Sequence, residues 1–487
     1  MNSRTKDLLL SFSLLLSSSV MAEVAPEDPF AALDRLLEDN FNTIDLTLDE
    51  QFEILNQAME DGYQKLGKEV ALSWGTQEVK LPTTTTWVDY SDDLNLRRMI
   101  DFELGTISIE RIIDIDDKVT DIVADIGQAS RELQTDSLAD LAKKDTALKY
   151  ARETLEARGL ELVEPTQSGA KQTPVLAGSG QMVTSMSLEE AVNQALEMET
   201  TDSGIPGLEG KADKIQATMM ADIVAPPFKA SVTPLVKNRR KVSIQIPLKA
   251  NFRHLLADEY LATVATEASR QDLPPSLLLA VMETESHFNP RARSAVPAYG
   301  LMQLVPRSGA MDAYEKVYGE KTLLGPEYLY QPDNNMELGA AYLHILHNRY
   351  LRHITDPDSL QYCAIAAYNT GAGNVARSFT GKTNVRTAAR LINTMTPNEV
   401  YTHLQENLPY EETRRYLVKV TEAQKKYFAF DEIATIKIDE SFRPGSATEQ
   451  IALGWVTTVP PHQKNPNQAQ PNLLRYVSQD HQQGTQP

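Results

Sequence analysis

Apolar positions recur at three- and four-residue steps from about residue 30 to 75, through PFAALDRLLEDNF and IDLTLDEQFEILNQAM, and this spacing predicts helix. From Trp74 to Ile113 the pattern turns to strand. EVKLPTTTTWVDYS is β-branched and partly alternating, and MIDFELGTISIERI reads as a hairpin turning near Gly105. Helical spacing returns over 130–158 and 187–198, with loop composition in QSGAKQTPVLAGSGQM and TDSGIPGLEGK. KVSIQIPLK sets Val242, Ile244 and Ile246 against polar partners and predicts a closing strand. Residues 23–250 are therefore expected to form one α+β domain.

Between 251 and 430 helical periodicity is almost continuous: HLLADEYLATVATEASRQ, PPSLLLAVMETES, NMELGAAYLHILHNRYL, DSLQYCAIAAYN, GNVARSF and ETRRYLVKVTEAQKKYF, with short Gly, Pro and Asn breaks. That predicts an all-α domain. The stretch 431–487 ends in a Gln-, Pro- and Asn-rich tail and is expected to be largely disordered. No internal repeat is evident.

At the N-terminus, Arg4 and Lys6 precede an apolar run from Leu8 to Leu16, followed by Val20-Met21-Ala22. Residues 1–22 read as a secretory signal cleaved after Ala22, too short in its apolar part for the roughly 20 residues of a bilayer span. Export to an extracytoplasmic, watery compartment follows. The single cysteine, Cys363, allows no intrachain disulfide and sits in an apolar run as a small core residue. No cysteine follows the signal's apolar run, so an N-terminal lipid anchor is not expected, and no transmembrane segment is.

Formal net charge is −20, which argues against nucleic acid as a partner. The excess is uneven: residues 251–430 carry 18 basic and 19 acidic side chains, so the surplus lies mostly upstream.

Candidate chemistry centres on AVMETESHFNP (280–290), with two glutamates two positions apart. Pro275 and Ser276 mark a helix start, and Leu278, Val281 and Met282 place Glu285 on the apolar stripe. Glu283, about 200° around the helix, is expected to face solvent. Asn289-Pro290 stops the helix, so Glu285 lies in its last turn. There the helix dipole and partial burial both favour the protonated carboxyl, as a general acid requires. A glutamate bonded to backbone at a helix end is the plain alternative. His344 and His347 have helical spacing with no third ligand evident, and read as surface and packing residues rather than a metal site.

ETESHFNP, Ser294, YGLMQL (299–304), AAYNTGAG (366–373), INTMTPNEVY (392–401) and ETRRYLVKV (412–420) together resemble the soluble-lytic-transglycosylase (SLT) domain, a lysozyme-like fold. Upstream, WGTQEVKL, MIDFELGTISIERI and KVSIQIPLKANF are similar to the N-terminal domain of the murein transglycosylase C family. The resemblance covers most of 70–430 and departs from the family pattern at Pro297 and Val305. It implies that Glu285 is the sole acid/base, and that Ser294, Gln303, Tyr368, Asn369, Glu412 and Tyr416 line a substrate cleft. Gly300, without a side chain, would let backbone or sugar approach closely, and other readings remain beside these: Ser294 as a helix cap, Gly300-Leu301-Met302 as helix packing, Gly371 and Gly373 as helix punctuation.

The resemblance further implies cleavage of the bond between N-acetylmuramic acid and N-acetylglucosamine in peptidoglycan, giving 1,6-anhydromuramyl ends without metal or cofactor. Glycan strands would be the partner and the periplasm the location, with peripheral outer-membrane association and membership of cell-wall complexes left open. Two rivals stand beside it: a goose-type lysozyme-like hydrolase, and a non-catalytic peptidoglycan-binding protein.

Overall fold

The computed structural model describes residues 29–114, 116–135, 144–160, 162, 192–193, 195–196, 229–248 and 251–431. The expected signal peptide, the two loops at 167–182 and 201–211, most of the 187–198 helix and the tail from 432 lie outside these. The described residues divide into two compact units, with the boundary between Glu50 and Gln51.

Helix α1, Pro29–Trp74, leads into three strands, β1 Thr86–Tyr90, β2 Leu96–Asp101 and β3 Thr106–Ile113. The hairpin turns at Gly105, whose φ of 67° suits glycine. Helices α2, Val119–Thr135, and α3, Thr146–Ala157, follow, then β4, Lys229–Pro234, and β5, Arg240–Pro247. The sheet is antiparallel throughout, in the order β1-β2-β3-β5-β4. Its register sets Trp87 beside Ile100, Ile100 beside Ile107, and Ile109 beside Ile244, so one face is mainly apolar and packs on Ile122 and Ile126 of α2, with the buried Asp89–Arg98 pair on the same face and Arg98 also 2.8 Å from Glu132 of α2.

The opposite face carries charge. Arg97 is fully buried, pairs with Glu110 and with Glu78 at 3.0 Å, and stacks 4.2 Å over the Trp74 ring. Lys241 closes the group, 2.8 Å from Glu78. In the first half of β5 the period-2 alternation therefore separates apolar residues from buried polar ones, Lys241 and Ser243, rather than core from solvent. Sequence periodicity did not reveal β4: KASVTP is an exposed edge strand defined by its pairing with β5.

The second half is helical: α4 Phe252–Gln271, α5 Pro275–Ser286, α6 Met311–Tyr318, α7 Pro326–Leu329, α8 Pro332–Ile345, α9 Pro357–Thr370, α10 Ala372–Thr380, α11 Val385–Ile392, α12 Pro397–Asn407 and α13 Glu411–Tyr427. The chain is thus an α+β region followed by an all-α one, and one continuous apolar cluster runs from the sheet through α5 to α9 and α13. Cys363 is fully buried in α9. Asp431, assigned from sequence to the tail, instead belongs to this body. Its carboxylate accepts from the Ser276 N–H at 2.8 Å and from the Ser276 hydroxyl at 2.7 Å, which fixes the start of α5. Among the described residues no helix is long and apolar enough to cross a membrane.

Candidate active site

Helix α5 is enclosed on all sides: every residue from Leu277 to Met282 is fully buried, against α4, α8 and α13. Through Glu283 the helix has no solvent face, and this overturns the expectation for Glu283. That residue is only 7% exposed, and its carboxylate accepts from Lys426 Nζ at 2.6 Å and from the Tyr427 hydroxyl at 2.8 Å. The turn of about 200° that moves it away from one packed neighbour carries it into another.

After Ser286 the chain leaves the helix sharply. His287 and Phe288 both adopt left-handed backbone, φ 53° and 65°, before Asn289-Pro290. Glu285 therefore occupies the last turn, half-buried, at the negative end of the helix dipole. Burial pushes its carboxyl up from the ordinary 4.5 to about 7, the Tyr416 hydroxyl opposes that rise, and the charge of Glu412 adds to it.

Tyr416 and Glu412 are four apart on α13. Tyr416 is buried, and its hydroxyl has no fully formed hydrogen bond among the described residues. It is nonetheless near enough to Glu285 for its dipole to favour the charged carboxyl, while burial and Glu285 hold its own ionisation well above the usual range. Glu412 is exposed. From α9, Tyr368 also feels the Glu285 charge, donates to the Met302 carbonyl at 2.8 Å and packs 5.4 Å from the Tyr342 ring. Glu285, Tyr368, Glu412 and Tyr416 thus converge. Asn369 lies one step away, its Oδ1 accepting the Thr413 hydroxyl at 2.6 Å and tying α9 to α13.

The loop 287–305 carries the remaining two candidates, and neither has a hydrogen bond to Glu285 among the described residues. Gln303 is nearly buried with φ 47°, and its Nε2 donates to the carbonyls of Ala292 and Gly300, both at 3.0 Å. Its Oε1 is buried without a partner. Ser294 caps a turn rather than a helix: its hydroxyl donates to the Val296 carbonyl and accepts the Ala298 N–H at 3.2 Å. Gly300 makes room for protein rather than for sugar. A Cβ there would come within 2.3 Å of both the Asn335 amide and the Leu329 carbonyl.

Sequence reasoning passed over three residues that shape this loop. Ser286 donates to the Leu301 carbonyl at 2.8 Å, joining the loop to the end of α5. Asn335, fully buried, accepts from Met302 N–H at 2.7 Å and donates to the carbonyls of Tyr299 and Leu329. Arg291, 4% exposed, pairs with Asp145, the cap of α3. A polar residue inside an apolar surround leaves no periodic signal, so only Ser286, adjacent to Glu285, could have been singled out. The rings of His344 and His347 are engaged by the carbonyls of Gln271 and Leu343, each at 2.9 Å.

Residues 262–390 match the family model "Transglycosylase SLT domain", and residues 52–123 match "Membrane-bound lytic murein transglycosylase C, N-terminal domain". A membrane-bound lytic murein transglycosylase C from Mannheimia succiniciproducens is 30% identical over 355 residues, covering 73% of this chain and 85% of the relative. One of the same name from Pectobacterium atrosepticum is 33% identical over 354 residues, with the same shares. The one from Yersinia pestis reaches 43% over 184 residues, 38% of this chain and 51% of its own. Among solved structures, the 70 kDa soluble lytic transglycosylase SLT70 from Escherichia coli is 18% identical. It covers 64% of this chain and 44% of its own, with a TM-score of 0.28, too low to bear on the site.

Proposed function

Because the chain belongs to the membrane-bound lytic murein transglycosylase C family, we propose that it is a peptidoglycan lytic transglycosylase with Glu285 as its single acid/base. The observation that carries this reading is the half-buried Glu285 carboxyl, held at a helix end with its pKa pushed up to about 7. A carboxyl poised near neutrality can give a proton and take one back.

In this mechanism Glu285 protonates the oxygen joining N-acetylmuramic acid to N-acetylglucosamine. The bond to the muramyl C1 breaks, and the acetamido group steadies the positive charge. The Glu285 carboxylate then takes the proton of the muramyl C6 hydroxyl as that oxygen bonds to C1. A 1,6-anhydromuramyl end forms and no water is consumed. Proximity of the internal hydroxyl replaces an activated water. Tyr416 favours the ionised half of the cycle and Glu412 the protonated half. Ser294, Gln303, Tyr368 and Asn369 complete the substrate cleft. Residues 251–430 are the catalytic domain and 23–250 the N-terminal one. The enzyme works in the periplasm, with residues 1–22 as its export signal.

Glu412 also supports a second reading. Hydrolysing glycosidases use two carboxyls, about 5–5.5 Å apart when retaining and about 6.5–9.5 Å when inverting. Glu412 is close enough to act on Glu285 and exposed enough to meet water. Mass spectrometry of digested sacculi separates the two: transglycosylation gives anhydro ends one water lighter than the reducing ends of hydrolysis. Anhydro ends from the wild type, and no products from Glu285→Gln, are the expected results. Reducing ends that vanish in Glu412→Gln would replace this mechanism with hydrolysis. Undiminished cleavage by Glu285→Gln would remove Glu285 from its role.

A further inference from the structure

The loop 287–305 is held from two sides. Its second half is fastened within the helical region by Ser286, Tyr368 and Asn335. Its first half is gripped by the N-terminal region. Asn289 Nδ2 donates to the Thr84 carbonyl at 3.2 Å, and the Arg293 N–H donates to the Thr83 carbonyl at 3.3 Å. Arg293 also lies 4.1 Å over the Tyr63 ring and 3.4 Å from Glu60 of α1. Arg291, buried and 4.5 Å over the Tyr330 ring, is neutralised by Asp145. Asp145 is itself fixed as the cap of α3, its carboxylate accepting the Leu148 N–H at 3.0 Å.

The next residue after Arg291 transmits its position. The Ala292 carbonyl accepts both the Gly300 N–H, at 2.9 Å, and Gln303 Nε2, at 3.0 Å. We propose that Asp145 is a positioning residue for the reaction: through Arg291 and Ala292 it sets where Gln303 stands, so that the N-terminal region braces the site from behind without touching substrate. This rests on the function proposed above. A guanidinium deprived of its counter-charge does not stay buried, so without Asp145 the segment 291–293 moves outward and Gln303 loses a tie. Glu285 has separate attachments, through α5 and α13, and its protonation is not disturbed.

Two full-chain variants test this. Asp145→Asn keeps an oxygen to cap α3 but removes the charge, while Asp145→Glu restores the charge. On soluble glycan strands Asp145→Asn is expected to raise KM about tenfold, since small misplacements of a binding group weaken productive binding. Its kcat pH profile should match wild type, and Asp145→Glu should recover most of the loss. Hydrogen–deuterium exchange gives an independent reading: amides at 300–304 should exchange faster in Asp145→Asn, those of α5 unchanged. Unaltered KM and unaltered exchange at 300–304 would overturn the proposal. So would a loss of kcat alone that follows a lowered melting temperature. If the wild type leaves peptidoglycan intact, the functional reading fails, and the exchange result still decides whether Asp145 holds the loop.

Discussion

Tyr427 donates a 2.8 Å hydrogen bond to Glu283, two positions before Glu285 and one helix away. With Lys426 on the same carboxylate, it clamps the C-terminal half of α5 against α13, the helix that also carries Tyr416 and Glu412. The two glutamates of one short motif thus divide the work: one is saturated with donors, the other is left able to exchange its proton.

Removing the clamp has a defined cost. Glu283→Ala leaves the buried Tyr427 hydroxyl without its acceptor, and should destabilise the chain by about 2–3 kcal/mol in urea unfolding. Activity at neutral pH should fall as well, because α13 then carries Tyr416 less firmly. Wild-type stability in this variant would show the clamp to be idle.

Much of this arrangement was legible in the sequence, and the reason is local. Glu285 stood out because a helix stop, an apolar stripe and a carboxyl coincide within a few residues, and the family motifs marked Tyr368 and Tyr416 near it. The hairpin around Gly105 and the strand through Val242 and Ile244 were legible because their alternation is strong. Glu283 was misread because placing it by its angle around the helix assumes one solvent face, and α5 is enclosed on every side as far as Glu283. Asp145, Asn335 and Arg291 were invisible because their partners lie far along the chain, where no spacing rule reaches.

Glu285 couples stability to pH with a definite sign. Its carboxyl protonates near 4.5 when unfolded but near 7 when folded. The folded chain therefore holds an extra proton between these values, and stability from this group, complete below about 4.5, is lost as pH rises through 7. Glu285→Gln does not titrate. It should match wild type in stability near pH 4 and exceed it near pH 8 by up to roughly 3 kcal/mol. Thermal melts at the two values provide the check, and a constant difference would contradict the raised carboxyl.

The same group sets the alkaline limb of activity, and its neighbours should move that limb in opposite directions. Wild-type kcat should decline above about pH 7 as Glu285 loses its proton. Tyr416→Phe removes the hydroxyl that favours the charged form, so the limb moves up and kcat falls about tenfold. Glu412→Gln removes a nearby negative charge, so the limb moves down. Rate–pH profiles of the three proteins show both shifts, or neither if these side chains are remote from the reacting carboxyl.

Gly300 is the position least able to change. A methyl group there would overlap the Leu329 carbonyl and the Asn335 amide, at a φ of 79° that disfavours side chains. Gly300→Ala should cost about 3 kcal/mol or more. Denaturant midpoints measure this directly, and a shift within error of zero would mean the loop is not packed as described.

Thr83 and Thr84 grip the loop with their carbonyl oxygens. Every amino acid supplies that atom, so these two positions can drift in evolution while the grip persists. Comparing residue identities among homologues will not reveal it. Deleting or lengthening the segment before β1, which shifts the backbone itself, is the change that selection should resist.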